Sequence, residues 1–158
     1  MIKVAILTVS DSCSQNKRED ISGQTIKDML ASDRFEICEY KIVPDENRSI
    51  KEALIYFASE VKADIVLTTG GTGLGPRDVT PEATSDVCQK MVPGLAEAMR
   101  SEGLKKTKNA MLSRGVAGIC GNTLIINLPG SPKAVKESLQ IVLDVLPHAV
   151  DMMRGGGH

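Results

Sequence analysis

Short apolar segments that alternate with amphipathic segments constrain the fold of this chain more than any other feature. Residues 2–9 form a β-branched apolar run that is typical of a buried strand, and apolar spacing predicts a helix over 22–32. The pattern repeats with a strand over 35–43, a helix that begins at a capping box on Ser49, and a strand over 64–69. This β-α-β-α-β order predicts an α/β fold of three layers, αβα, with a mostly parallel sheet.

Threonine and proline mark the next helix. Thr80 is expected to act as its N-cap, and Pro81 occupies the first helical position, where a missing N–H has no cost. Helical segments are expected to run from there to about Lys90, and again over 94–106.

The last third of the chain predicts a hairpin and a closing helix. Segments 115–120 and 123–128 flank a Gly-Asn turn, so the sheet is expected to be mixed rather than purely parallel. A long helix should follow Ser131 and kink or break near Pro147. With 158 residues and no linker or repeat, the chain is expected to be one domain over 1–158.

Charge and aromatic content exclude several classes of partner. Nineteen basic and twenty acidic residues give a net charge of −1, unlike proteins that bind duplex nucleic acid or membrane surfaces. Aromatic residues make up 3% of the chain, so the stacking surfaces used by single-strand binders are missing. A small-molecule ligand is expected, with no nucleic acid and no membrane.

The N-terminal segment and the cysteines indicate a reducing compartment. The apolar run Met1–Val9 is too short to span a bilayer and is not followed by a small-residue cleavage site, so a soluble, cytoplasmic chain is expected. The four cysteines form no C-x-x-C pair, so reduced thiols are expected. Cys13 is expected to be inert because no histidine lies near it in the sequence.

Histidine is nearly absent. His148 falls within a late helical pattern and His158 is the last residue, so a Ser-His-Asp or Cys-His mechanism has almost nothing to use. Chemistry must then depend on carboxylates, hydroxyls, backbone amides, Lys and Arg, or a bound metal, which favours phosphate chemistry.

An acidic residue follows each of the first three predicted strands. Asp11, Asp45 and Asp78 would lie at one edge of the sheet if those strands are parallel. Their oxygens could hold Mg²⁺ together with substrate phosphates. The alternative is that Asp11 and Asp45 only shape turns, where aspartate is common.

A glycine-rich loop over 70–78 is the sharpest local signal. It directly follows a strand and precedes a helix, so its amides could approach an anion with no Cβ in the way. The dinucleotide fingerprint fails because position 76 is proline, and no Gly-Lys-Ser/Thr exists for a P-loop. A purely structural tight turn remains the alternative. The expected anion-binding residues of this loop are Gly70, Gly71, Thr72, Gly73 and Gly75.

A second strand-to-helix corner is formed by Pro129, Gly130 and Ser131. Its amides would suit a phosphate if the preceding strand is parallel to the others. For the Ser131 side chain itself, the ordinary role of an N-cap is favoured. Lys133 is expected to be solvated.

Five segments of the chain resemble the MogA/MoaB family of molybdenum-cofactor proteins. The longest is the glycine-loop stretch from Thr68 to Thr84, and the others occur in the same order as in that family. They are Val9-Ser10-Asp11-Ser12, Val43-Pro44-Asp45-Glu46, Met111-Leu112-Ser113-Arg114 and Asn127-Leu128-Pro129-Gly130-Ser131-Pro132.

The resemblance implies a molybdopterin-binding-like fold and a molybdopterin adenylyltransferase. In that reaction the terminal phosphate of molybdopterin attacks the α-phosphorus of ATP, giving adenylylated molybdopterin and pyrophosphate, with Mg²⁺ required. The resemblance implies that Asp45 and Asp78 surround metal and phosphates, and that Ser113 handles the adenylylated product. With the two corners above, it also implies that Asp11 and Ser12 contact substrate or nucleotide.

Two alternatives to the enzyme stay open. One is a catalytically silent MoaB-type module that binds pterin or nucleotide, and the other is a DNA-linked role like that of competence-damage proteins, which is disfavoured because a second domain is missing. The resemblance further implies a homotrimer or a dimer of trimers, and hand-over of product to a molybdenum-insertion protein.

Overall fold

A six-stranded mixed sheet forms the centre of the protein, as described for residues 1–156 by a computed structural model. Its strands are β1 (Ile2–Val9), β2 (Phe35–Val43), β3 (Ile65–Thr69), β4 (Lys90–Met91), β5 (Ala117–Cys120) and β6 (Thr123–Leu128). Their order across the sheet is β2-β1-β3-β6-β5-β4. The first four in this order are mutually parallel, whereas β5 is antiparallel to both β6 and β4. The α/β fold and the β5–β6 hairpin are thus confirmed.

Helices cover both faces of the sheet. They are α1 (Asp11–Ser14), α2 (Ile21–Met29), α3 (Asn47–Ser59), α4 (Thr80–Val87), α5 (Pro93–Leu104), α6 (Pro132–Val142) and α7 (Leu146–Met153). Helices α2, α5, α6 and α7 bury their apolar residues in one core cluster, and α3 and α4 bury theirs in the other. None of these helices, in the part of the chain described, is long and apolar enough to cross a membrane.

Strand β1 shows why the sheet is covered on both sides. Val4 and Ile6 point into one core, and Ala5 and Leu7 point into the other, because successive side chains of a strand face opposite ways. All four side chains are fully buried. A strand buried on both faces reads as an unbroken apolar run, which is the pattern that the sequence displays.

The predicted capping box on Ser49 is not formed, so this prediction is wrong. Helix α3 begins two residues earlier, at Asn47, and its N-cap Glu46 makes no side-chain capping bond. The Ser49 hydroxyl lies 3.3 Å from the Glu46 carboxylate instead of reaching a backbone amide. The helix starts early because the backbone leaves β2 through Asp45, whose amide is already hydrogen-bonded to Asp11.

Other element ends also differ from expectation. Thr80 is the first residue of α4 rather than its N-cap, and its amide donates to the carbonyl oxygen of Gly71 at 3.1 Å. Helix α4 stops at Val87, because the chain then pairs with β5 as the short strand β4. Such a two-residue strand has no periodicity for a sequence pattern to show.

The remaining elements follow the predicted pattern with shifted ends. The α2 helix begins one residue early, at Ile21, because Asp20 caps it through the Gly23 amide. The segment after β1, expected to be a plain polar loop, contains the single helical turn α1. The closing helix is broken before Pro147, as expected, by a 3-10 turn over Leu143–Val145.

Candidate active site

The loops that follow the four parallel strands lie at the same edge of the sheet. Asp11 follows β1, Asp45 follows β2, the glycine loop follows β3, and the segment 129–131 follows β6. Ligands of open α/β sheets bind beyond the carboxyl ends of such strands. The residues that were predicted on strand–loop reasoning therefore do meet at one edge.

Asp11 and Asp45 hold each other in place. The Asp11 amide donates to Asp45 Oδ2, and the Asp45 amide donates to Asp11 Oδ1, both at 2.9 Å. This reciprocal pair joins the ends of the neighbouring strands β1 and β2. It leaves Asp45 Oδ1 without a hydrogen bond from any residue in 1–156.

The Asp11 carboxylate is bound by Arg77 rather than free to bind metal. Arg77 donates to both Asp11 oxygens, at 2.9 and 3.1 Å. The pKa of Asp11 is lowered, first by the hydrogen bond from Arg77 and then by the amide of Asp45. Within residues 1–156 no three acidic, histidine or cysteine side chains come together to hold a metal, so the expected three-carboxylate site is wrong. Asp45 and Asp78 are left as the candidate pair.

The glycine loop wraps around the Asp78 carboxylate. The Gly75 amide donates to Asp78 Oδ2 at 2.9 Å. A Cβ placed on Gly73 or Gly75 would lie 3.0 or 2.9 Å from that same oxygen. These two glycines are thus needed for the close approach of the backbone to the acid.

Gly70 and Gly71 provide the turn out of β3. Both have positive φ angles, +98° and +70°. A Cβ on Gly70 would lie 2.2 Å from the carbonyl oxygen of Val9, and one on Gly71 would lie 3.4 Å from Asp45 Oδ1. The bare backbone at these positions therefore lets β3 turn directly beside β1 and Asp45.

A cavity of about 390 Å³ opens between these loops. Of the predicted site residues it is lined by Asp45, Gly70, Gly71, Asp78, Gly130 and Ser131. The structure thus brings the two candidate acids into one cavity, where the sequence reasoning required them to be.

The donor set of this cavity fits a divalent cation. Burial is the first cause that raises the pKa of Asp45, and the negative charges of Asp11 and Asp78 raise it further. Asp78 Oδ1, like Asp45 Oδ1, accepts no hydrogen bond within residues 1–156. A cation between the two carboxylates would offset this unfavourable charge, and hard oxygen ligands are those that Mg²⁺ prefers.

Ser113 lines a neighbouring cavity of about 490 Å³, together with Pro129 and Ser131. This second cavity lies between α5, α6 and the 3-10 helix Lys108–Leu112. Ser131 lines both cavities, so they adjoin at the segment 129–131. Ser113 and the two acids are therefore neighbours across this segment rather than members of one cavity.

The segment 129–131 is fixed by hydrogen bonds from neighbouring side chains to its backbone carbonyls. The Ser22 hydroxyl donates to the Gly130 carbonyl and the Thr69 hydroxyl to the Pro129 carbonyl, both at 2.6 Å. The Ser131 side chain accepts from the Ala134 amide, which confirms its role as the N-cap of α6.

Five predicted site residues line neither of these cavities, namely Asp11, Ser12, Thr72, Gly73 and Gly75. Ser12 is in α1, 3.3 Å from the Ser10 hydroxyl, and Thr72 is buried with its carbonyl accepting from the Arg114 amide. Cys13 is buried but lines the first cavity, and all four cysteines are free thiols. His148 lies in α7, far along the chain from both acids, and His158 is outside the described residues.

Sequence reasoning missed an acidic group in the first cavity. Asp20 accepts hydrogen bonds from the Thr8 hydroxyl at 2.6 Å, from the Tyr40 hydroxyl, and from the Gly23 amide. Burial and then Asp20 raise the pKa of Tyr40, which keeps the phenol protonated as a donor. A signal was available, since an aspartate directly before an apolar residue of a helix is a common N-cap.

Thr80 carries an unsatisfied hydroxyl beside the glycine loop. It is the one buried side-chain polar atom of residues 1–156 without a hydrogen-bond partner, and a Cβ on Gly71 would lie 2.2 Å from it. Thr84, one turn later in α4, is equally buried, but its hydroxyl accepts from the Asn127 amide at 3.0 Å.

The two threonines give a matched test of stability. Thr80→Val removes a hydroxyl that lacks a partner and should raise the free energy of unfolding by about 1 kcal/mol, whereas Thr84→Val should lower it by about 1–2 kcal/mol. Urea unfolding of both variants measures the difference. Equal destabilisation by the two substitutions would mean that Thr80 has a partner in solution.

Comparison with known proteins identifies the family. Residues 5–148 match the family described as probable molybdopterin binding domain. The chain belongs to this family. It is 46% identical over 156 residues to a molybdopterin adenylyltransferase of Helicobacter pylori, covering 98% of this chain and 89% of that protein.

Further similar proteins agree with this chain in sequence and fold. The molybdopterin adenylyltransferase of Escherichia coli is 38% identical, covering 90% of this chain and 74% of that protein. The crystal structure of the molybdopterin biosynthesis enzyme MoaB of Thermus thermophilus superposes with a TM-score of 0.93 at 53% identity, covering 98% of each chain. The predicted family and fold are confirmed.

Proposed function

We propose that this chain is a molybdopterin adenylyltransferase of molybdenum cofactor biosynthesis. It would transfer the adenylyl group of ATP to the terminal phosphate of molybdopterin and release pyrophosphate. The observation that carries the proposal is the convergence of Asp45, Asp78 and the glycine loop on one cavity. Support also comes from the relatives of this name, which align with nearly the whole chain.

The residues of the first cavity suit the binding of a phosphate chain. The Gly71 amide of the glycine loop, and the amides of the Gly130–Ser131 corner at the start of α6, would hold phosphate oxygens. The substrate phosphate is itself the nucleophile, so the protein has to orient it and the α-phosphorus rather than supply an attacking group. This need agrees with a site to which the described residues 1–156 contribute carboxylates and amides but no histidine.

Asp45 and Asp78 would hold Mg²⁺ through the oxygens that lack protein partners. When bound, the metal neutralises charge on the phosphate oxygens of ATP. Asp11 acts through Asp45, because its carboxylate fixes the Asp45 amide and its own amide fixes Asp45 Oδ2. Ser113 and Pro129 would contact the pterin-bearing product from the adjoining cavity.

The protein is further proposed to work in the cytoplasm as a homotrimer or hexamer and to pass its product to a molybdenum-insertion protein. Exposure of the neighbouring apolar side chains Met111 and Leu112, at 60% and 48%, supports a subunit interface near Ser113. Sedimentation velocity measures the oligomeric state. No observation favours the silent binding module over the enzyme.

Pyrophosphate release tests the proposed reaction. The purified chain is incubated with molybdopterin, ATP and Mg²⁺, and pyrophosphate is measured while each component is left out in turn. We expect release only when all three are present, and none when EDTA removes the metal. Release that does not depend on molybdopterin would contradict adenylyl transfer to the pterin.

A further inference from the structure

We propose that Arg114 is a positioning residue that fixes the Ser113 segment against the Asp78 loop, so that the two cavities present their ligands in register. This proposal rests on the proposed adenylyl transfer, because only a reaction that spans both cavities requires their alignment. Arg114 lies outside both cavities, and the mechanism above gives it no role.

The Arg114 side chain binds the glycine loop at two points, in its middle and at its end. Its Nε donates to the Gly73 carbonyl at 2.8 Å, and its Nη2 donates to the Asp78 carbonyl at 2.7 Å. The Arg114 backbone amide donates to the Thr72 carbonyl at 2.9 Å. Together with the amide of Gly75, which holds the carboxylate, these bonds fix Asp78 at its backbone and at its side chain.

The same guanidinium is held by α4. Arg114 Nη1 and Nη2 donate to the two carboxylate oxygens of Glu82 at 2.6 and 3.2 Å. This pair lowers the pKa of Glu82, so the carboxylate stays ionised at neutral pH. The guanidinium thereby links three elements: the glycine loop, the first turn of α4, and the segment that leads into β5.

Ser113 is the residue that this arrangement aligns. It directly precedes Arg114, and its carbonyl and that of Gly115 accept hydrogen bonds from Arg100 of α5 at 3.3 and 2.8 Å. The Ser113 hydroxyl accepts from the Gly115 amide at 3.3 Å. Hydrogen bonds from Arg100, which lines the second cavity, therefore fix this segment on one side. On the other side, Arg114 connects it to Asp78 of the first cavity.

A planar guanidinium is required because the acceptors lie in different directions. Lysine keeps the charge, but its compact ammonium group cannot reproduce a fork that reaches two carbonyls and a carboxylate at once. Arg114→Lys should therefore misalign the segments without removing charge. An error of about 1 Å in such a site can cost about 10²-fold in rate.

The experiment compares Arg114→Lys with Arg154→Lys. Arg154 also pairs with a carboxylate, Asp64, at 3.1 Å, but at the opposite edge of the sheet, where β3 begins. We expect Arg114→Lys to lower kcat about 10²-fold while the KM values for Mg-ATP and molybdopterin change by less than about threefold. Arg154→Lys should retain the parent kcat.

Two further measurements separate positioning from a general loss of stability. In Arg114→Ala, millimolar guanidinium should restore kcat at least in part, whereas ammonium should not. Amide hydrogen exchange should rise in both 70–79 and 113–116 of Arg114→Lys, and in neither segment of Arg154→Lys. If Arg114→Lys does not fold, Glu82→Gln, which weakens only the contact with α4, should show the same pattern to a smaller extent.

Different results would overturn the role of Arg114 and the proposed function. A kcat within about threefold of the parent, a change confined to KM, or faster exchange in only one of the two segments would overturn the proposal. If the parent itself forms no adenylylated pterin, the proposed function fails, and the exchange measurement alone decides whether Arg114 couples the two segments.

Discussion

Replacing Asp78 with asparagine is expected to lower the rate of pyrophosphate release by about 10³-fold with the fold intact. Asparagine keeps an oxygen that can accept from the Gly75 amide, so the loop conformation should persist while the charge is lost. Asp45→Asn should have an effect of the same size, because its unpartnered oxygen faces the same cavity. Steady-state kinetics with molybdopterin and Mg-ATP measure both variants.

A surface aspartate provides the control. Asp86 pairs with Lys51 at 3.4 Å, and its side chain is 56% exposed, so Asp86→Asn removes the same charge away from the cavity. It should retain the parent rate. Full turnover by Asp78→Asn or Asp45→Asn would refute the roles assigned to these acids.

Alanine at position 70 should destabilise the protein by about 3 kcal/mol. The added Cβ would lie 2.2 Å from the Val9 carbonyl oxygen, which is backbone of a central strand and cannot swing away. Gly70 also has a φ of +98°, which a residue with a Cβ adopts only with strain. Relief of the clash would push the glycine loop away from β1, so nucleotide binding should weaken as well.

Gly121→Ala separates the steric clash from the backbone strain. Gly121 also has a positive φ, +61°, but a Cβ there would meet no atom within 4 Å. Its substitution should cost about 1 kcal/mol, which reports the backbone strain alone. Urea unfolding measures both variants, and similar losses in the two would show that β1 and the glycine loop are not in close contact in solution.

Much of the fold could be predicted from the sequence because the central strands β1, β3 and β6 are buried on both faces. The unbroken apolar run Ile2–Val9 and the capped start of α6 at Ser131 carry their information locally. The Ser49 capping box failed because a tertiary hydrogen bond of Asp45 fixes the chain before α3. The strand Lys90–Met91 exists only through its pairing with β5, so no local pattern could show it.

The candidate site was predictable where chain topology alone brings residues together. Asp45 and Asp78 follow β2 and β3, which are parallel strands on either side of β1, so both residues lie at the same edge of the sheet. Arg77 was not foreseen as the partner of Asp11, and this pairing changed an expected three-acid site into a two-acid one. Arg114 reaches Gly73 across 41 residues of sequence, and such pairings leave no periodic signal.

Label transfer from ATP tests the central claim most directly. The parent protein is incubated with molybdopterin, Mg²⁺, and ATP labelled either at the α-phosphorus or at the γ-phosphorus. Adenylyl transfer at the Asp45–Asp78 cavity predicts that the α-label enters the pterin and the γ-label enters pyrophosphate, in equal amounts. Binding of the nucleotide with neither label transferred, or transfer of the γ-label to the pterin, would contradict it.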